Sequence, residues 1–176
     1  MSGYLHGYCI KLRDLRSIVE NPPADLFDEL RERFPQFRRG NSKSRVSPSK
    51  ALAGLLKSDT RGRLLEMICA VRGVPIESAF FEDVHLLSIY EALEAGMGGG
   101  VCERLKERRL PVPLPPDKGG PPWISYLTLQ EIKKGLARPD REERNLDNWV
   151  ADARDDLRVW LEIAGEHGTD LVVFGN

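Results

Sequence analysis

The chain has 176 residues, 41% of them apolar and 30% charged, with a formal net charge of −1. That length suits one compact domain with a core large enough to need no disulfide or structural metal. The near-neutral charge argues against a dedicated nucleic-acid coat, and no apolar run approaches the roughly 20 residues of a membrane span. Arg13, Asp14 and Arg16 interrupt the N-terminal segment where a signal peptide needs its apolar stretch. The three cysteines, Cys9, Cys69 and Cys102, are far apart and form no C-x-x-C pair. A reducing, cytoplasmic setting is the expectation, with no metal and no cofactor.

In chain order, Gly3-Tyr4-Leu5-His6-Gly7-Tyr8-Cys9-Ile10 reads as a strand. Leu12, Leu15, Ile18 and Val19 recur at helical spacing until Asn21-Pro22-Pro23 ends the run. A second helix is expected from Ala24 to about Arg33, with Leu26, Phe27 and Leu30 inward. The stretch 38–46 is basic, polar and aperiodic and reads as a flexible loop. Ser47-Pro48 restarts a helix carrying Leu52, Leu55 and Leu56. Another begins near Arg61, with Leu64, Leu65, Ile68, Cys69 and Val71, and Gly73 stands where a C-cap belongs.

From Pro75 to Asp83 the chain reads as irregular, with Phe80 and Phe81 as core plugs. A helix from about Val84 to Ala95 stops at Gly96, and Val101–Arg109 reads as a short charged helix. Residues 110–122, rich in proline, favour an extended path and read as a strap over the surface. Trp123–Leu127 suggests a third short strand, and Thr128 with Glu131 forms a capping-box pattern opening a helix. Leu146, Trp149, Val150, Ala153, Leu157, Trp160, Leu161 and Ala164 then share one helical stripe that ends at Gly165 or Gly168. Leu171-Val172-Val173-Phe174 closes the chain as a strand. Residues 1–176 are therefore expected to form a single α+β domain, mainly helical. Its small two- or three-stranded sheet should pair the N- and C-terminal strands.

Charge is segregated along this order. Arg31 to Lys50 carries seven cations against Glu32 alone, net +6, and Asp140 to Asp170 carries a net −6. Such asymmetry can steer a partner. The expected partner-binding residues are Arg38, Arg39, Lys43 and Arg45, with another protein as the partner. Phe34 and Phe37 beside Arg38 and Arg39 also suit stacking on single-stranded nucleic acid, but the low global charge and the lack of a named motif count against it.

Catalytic patterns are sparse. His6, His85 and His167 show no metal-ligand spacing, and Gly96-Met97-Gly98-Gly99-Gly100 lacks both the dinucleotide fingerprint and a G-K-[ST]. Cys69 lies on an apolar stripe, where a thiol is ordinarily packing. Tyr4, His6 and Tyr8 share strand parity and one face, a row able to line a pocket with a proton-carrying imidazole. The weak catalytic candidates are His6, Glu82, Asp83 and His85.

The start Gly3-Tyr4-Leu5-x-x-Tyr8, the helix Arg63–Cys69, and Pro111–Pro116 followed by Tyr126-Leu127-Thr128 are carried together with the closing Trp160-Leu161-x-x-Ala164 and Leu171–Phe174. This order resembles actinobacterial-type domains of unknown function, distantly similar to the YfbM-like proteins. The resemblance implies a small cytoplasmic bacterial protein and transfers no catalytic residue. It also suggests the immunity or accessory proteins that accompany bacterial toxins. The function expected is thus a non-enzymatic interaction domain. The alternative is a small-molecule-binding domain or enzyme with a pocket beside the first strand.

Overall fold

The two ends of the chain meet as antiparallel strands. The computed structural model describes residues 2–34, 52, 54, 56, 61–76, 79–82, 110–112, 123–137 and 148–175. In it β1 (Ser2–Cys9) pairs with β5 (Leu171–Gly175), placing His6 opposite Phe174 and Tyr8 opposite Val172. β4 (Trp123–Leu127) adds antiparallel to the other side of β5, with Tyr126 also opposite Val172. The expected pairing of the terminal strands and the third strand are therefore both present, in a sheet larger than expected.

The enlargement comes from the stretch read as irregular. β2 (Val74–Pro75) and β3 (Ala79–Glu82) both pair with β1, giving five strands in the order β2-β1-β5-β4, with β3 off that path. Ile76 N–H donates to Gly7 O at 2.9 Å, whereas Ala79 lies opposite Leu5. The pairing of β1 therefore changes register by one residue between β2 and β3, and residues 77 and 78, which join those strands, lie outside the described residues. A one-residue change of register breaks a continuous inward–outward alternation, and Pro75 cannot donate to a ladder. Those two features hide a strand from pattern reading.

The sheet is covered on both faces, and strand parity decides which residue goes where. Leu5, Cys9, Leu127, Leu171 and Val173 point to one face, where they meet Ile132 of α4 (Leu129–Leu136) and Leu157, Trp160, Leu161 and Ala164 of α5 (Asn148–Glu166). Tyr8, Ile10, Tyr126, Val172 and Phe174 point to the other. There they meet α1 (Leu12–Glu20), α2 (Leu26–Arg33) and α3 (Arg61–Arg72) through Leu15, Val19, Leu26, Leu30, Leu65 and Ile68, joined by Leu52 and Leu56. Leu110 and Val112, at the start of the proline-rich stretch, pack against this second cluster, and Pro111 is exposed. Cys9 and Cys69 are free thiols on opposite faces of the sheet.

Local chemistry sets the helix ends. Thr128 and Glu131 form the expected reciprocal box, Thr128 N–H donating to Glu131 Oε2 at 2.9 Å. In α2, Asp28 and Glu29 lie in the first turn and Arg31 and Arg33 in the last, each complementing the helix dipole. Arg72, closing α3, reaches Asp25 at 3.0 Å and Glu29 at 3.2 Å and ties the two helices. Gly73 follows α3 as expected, but for a different reason. Its φ is not positive, whereas an added Cβ would lie 2.8 Å from Cys69 O and 2.9 Å from Cys9 O. Close approach of two chains, not left-handed geometry, requires glycine there.

Candidate functional site

Two features of the described surface are candidates. The first grows from β1. His6 and Tyr8 share strand parity and point the same way, and Glu66 of α3 lies beside both. His6 Nδ1 lies 3.7 Å from Glu66 Oε1, with the side chains 33% and 19% exposed. At that separation the contact is an electrostatic pairing and not a hydrogen bond. The Tyr8 hydroxyl donates a hydrogen bond to the Glu66 carboxylate. The Tyr8 ring is buried and meets Phe174 edge-on, with centroids 5.6 Å apart.

Electrostatics assign roles within this cluster. Burial, followed by the Glu66 charge, pushes the Tyr8 phenol well above its ordinary value of 10.0, although the Arg33 charge pulls the other way. The Cys69 thiol, one turn along α3 from Glu66, is pushed above 9.0 by burial and then by the same carboxylate. Tyr8 and Cys69 therefore stay protonated, and neither is a nucleophile at physiological pH. Glu66 is the carboxylate that both Tyr8 and His6 approach, and His6 is the more exposed member of its pairing with Glu66.

These shifts make alkaline stability measurable. Tyr8 and Cys69, and Cys9 raised by its own burial, keep their protons when folded at pH values where the unfolded chain has released them. The stabilisation is complete below about pH 9 and is lost as pH rises through the folded-state values, by up to about 1.4 kcal/mol per pH unit for each group. Urea midpoints followed from about pH 8 to 11 are expected to fall, and Tyr8→Phe is expected to make the fall shallower. An unchanged slope in that variant would show that Tyr8 takes no part.

The remaining catalytic candidates do not gather at His6 among the described residues. Glu82 is opposite Ser2, about 13 Å along β1 from His6 at the usual rise per residue. Asp83 and His85 lie outside the described residues, as do Arg38, Arg39, Lys43 and Arg45, the glycine-rich run and the expected helices of 84–109. Among the described residues no group of three or more His, Cys, Asp or Glu side chains is placed to hold a metal ion. No helix among them is long and apolar enough to cross a membrane.

The second candidate is the outer face of α5. Leu157, Trp160, Leu161 and Ala164 bury one side of this helix against the sheet. At 100° per residue, Asp152, Asp155, Val159, Glu162 and Glu166 fall on the opposite side and Asp156 at its edge, and all six are exposed. Val159 is 48% exposed, with acidic side chains along the helix on both sides of it. Arg158 stands at the flank, 3.2 Å from Glu162.

A family model described as Domain of unknown function (DUF7691) matches residues 1–176. The chain belongs to that family. No curated protein and no solved structure matches it.

The two candidates differ in how visible they are in the sequence. His6 and Tyr8 are recognisable from strand parity. Glu66 is not, because its contact with them spans some 60 residues of chain and no local spacing announces it. The acidic face of α5 follows directly from the apolar stripe on the same helix, whose complement it is.

Proposed function

We propose that this domain is a protein-interaction module of the immunity or toxin-accessory kind, cytoplasmic and bacterial, recognising a basic partner through the outer face of α5. The observation that carries this reading is the row of exposed acids around Val159 on a helix whose other face is fully engaged by the sheet. An apolar contact ringed by like charges is the make-up of a small docking surface that selects its partner by sign. The charge pattern adds a second surface. Arg31 and Arg33 belong to α2, on the far side of the sheet from α5, and the run to Arg38, Arg39, Lys43 and Arg45 continues from there.

The test is capture of a partner by the tagged protein from its host lysate, repeated with Asp152→Lys, Asp156→Lys and Glu166→Lys combined. A matched variant reverses Arg38, Arg39 and Lys43. One stoichiometric partner, weakened by salt and lost with the α5 variant, is the expected result. Loss only with the basic-run variant moves the interface to residues 38–45. A partner indifferent to salt and to both reversals rules out a charge-selected interface.

A second reading, a small-molecule or catalytic site beside β1, has one observation in its favour. The partly exposed imidazole of His6 sits beside the Glu66 carboxylate, on the stretch of β1 between its pairings with β2 and β3.

A further inference from the structure

One carboxylate reaches both helical layers. α5 closes with Gly168 N–H donating to Gly165 O at 3.1 Å and Thr169 N–H to Ala164 O at 3.1 Å. Gly168 takes φ +62°, so the end is a Schellman motif with glycine at its left-handed position. Two residues later, Asp170 Oδ2 accepts from Leu12 N–H at 2.8 Å and Oδ1 accepts from Leu129 N–H at 2.8 Å. Its main-chain carbonyl accepts from Ile10 N–H at 3.0 Å. Leu12 opens α1 on one face of the sheet, and Leu129 opens α4 on the other.

At α1 the arrangement substitutes for a local cap, and at α4 it adds to the Thr128–Glu131 box. Lys11, at the N-cap of α1, makes no side-chain capping bond, and a distant carboxylate takes that place. Each Asp170 oxygen meets the positive end of a helix dipole, where negative charge is most favourable. Asparagine at this position would offer a single acceptor oxygen and turn an N–H₂ donor toward the second N–H. Both helix starts therefore depend on where the short turn between α5 and β5 holds one side chain.

We propose that Asp170 is a conformational latch that couples the two helical layers, so that a displacement of the α5–β5 turn loosens the first turns of α1 and α4 together. The turn can be disturbed without touching the carboxylate. Gly168→Ala meets no atom within 4 Å, so its cost is the strain of a left-handed alanine alone.

Amide hydrogen exchange on Gly168→Ala, Asp170→Ala and the double variant tests the latch, with Ile68 of α3 reporting global stability. Asp170→Ala is expected to speed exchange at Leu12 and Leu129 by about tenfold or more relative to Ile68. Gly168→Ala is expected to speed both amides together, by less, and to add nothing in the Asp170→Ala background. A Gly168→Ala response at only one of the two amides, or at neither, overturns the proposal. An effect that persists undiminished without Asp170 overturns it as well. If Asp170→Ala does not fold, the paired response to Gly168→Ala decides alone.

Discussion

Replacing Gly7 by alanine is expected to destabilise the fold by about 3 kcal/mol, the upper end of the range for overpacking a core. The added Cβ would lie 2.8 Å from Trp160 Cε3 and 2.9 Å from Cζ3, closer than real Cβ atoms come to their neighbours. Neither side can yield cheaply. Trp160 is buried among Leu157, Leu161 and Leu171. Gly7 is held in the middle of β1 by its register with Val173 and by the bond from Ile76 N–H. The indole thus occupies the space that a side chain at this strand position would need. Urea unfolding of Gly7→Ala, alone and combined with Trp160→Leu, measures this. In the double variant the two penalties should sum to less than their separate values, because removing the ring removes the clash. Strict additivity would show that the cost of Gly7→Ala arises elsewhere.

Phe174→Ala is expected to cost about 3–5 kcal/mol, the usual loss for a buried aromatic. Phe174 is fully buried on β5, which has neighbouring strands on both sides. It faces the α1–α3 layer, and its ring takes the edge contact of Tyr8. Truncation leaves a cavity between the sheet and that layer and removes packing from the ring that presents a hydroxyl to Glu66. Thermal unfolding should show the lower stability, and near-ultraviolet circular dichroism should show a changed tyrosine environment. Phe174→Leu, which refills most of the volume, is expected to recover more than half of the loss. A Phe174→Ala protein as stable as wild type would mean that the two layers do not pack through this strand as described.

Local signals in the sequence carried much of this fold, and non-local ones did not. The α1, α3, α4 and α5 helices lie where apolar spacing, proline stops and the Thr128–Glu131 box place them, because each signal acts within a turn or two of its own residue. The pairing of β1 with β5 was legible because both ends of the chain are apolar and need a partner. β2 and β3 were hidden by Pro75 and by the one-residue change of register between them, which breaks the alternation. Gly7 reads as an ordinary strand glycine until Trp160 is known to cross it. Asp170 reads as the last acid of the acidic stretch 140–170, although its two carboxylate hydrogen bonds are to Leu12 and Leu129, both distant in sequence. Capping at such range leaves no spacing to recognise.

The site was legible to the same extent. His6 and Tyr8 were singled out by parity, and the structure brings them together on one face, with Glu66 completing the group. Burial then turns Tyr8 from a pocket residue into a core residue whose hydroxyl holds α3 to β1. That leaves the α5 face as the larger exposed feature with a consistent chemical character. The proposed function therefore rests on the helix surface rather than on chemistry beside β1.

The most direct test compares two variants in one binding experiment. The first reverses Asp152, Asp156 and Glu166 on α5. The second, His6→Asn with Glu66→Gln, neutralises the cluster beside β1. With the captured partner purified and titrated against each folded variant at low and moderate salt, the account predicts at least about tenfold weaker binding for the α5 variant, with a reduced salt dependence. The β1 variant should bind as wild type does. Undiminished binding by the α5 variant, with loss in the His6–Glu66 variant, would contradict the account and place the function at the first strand.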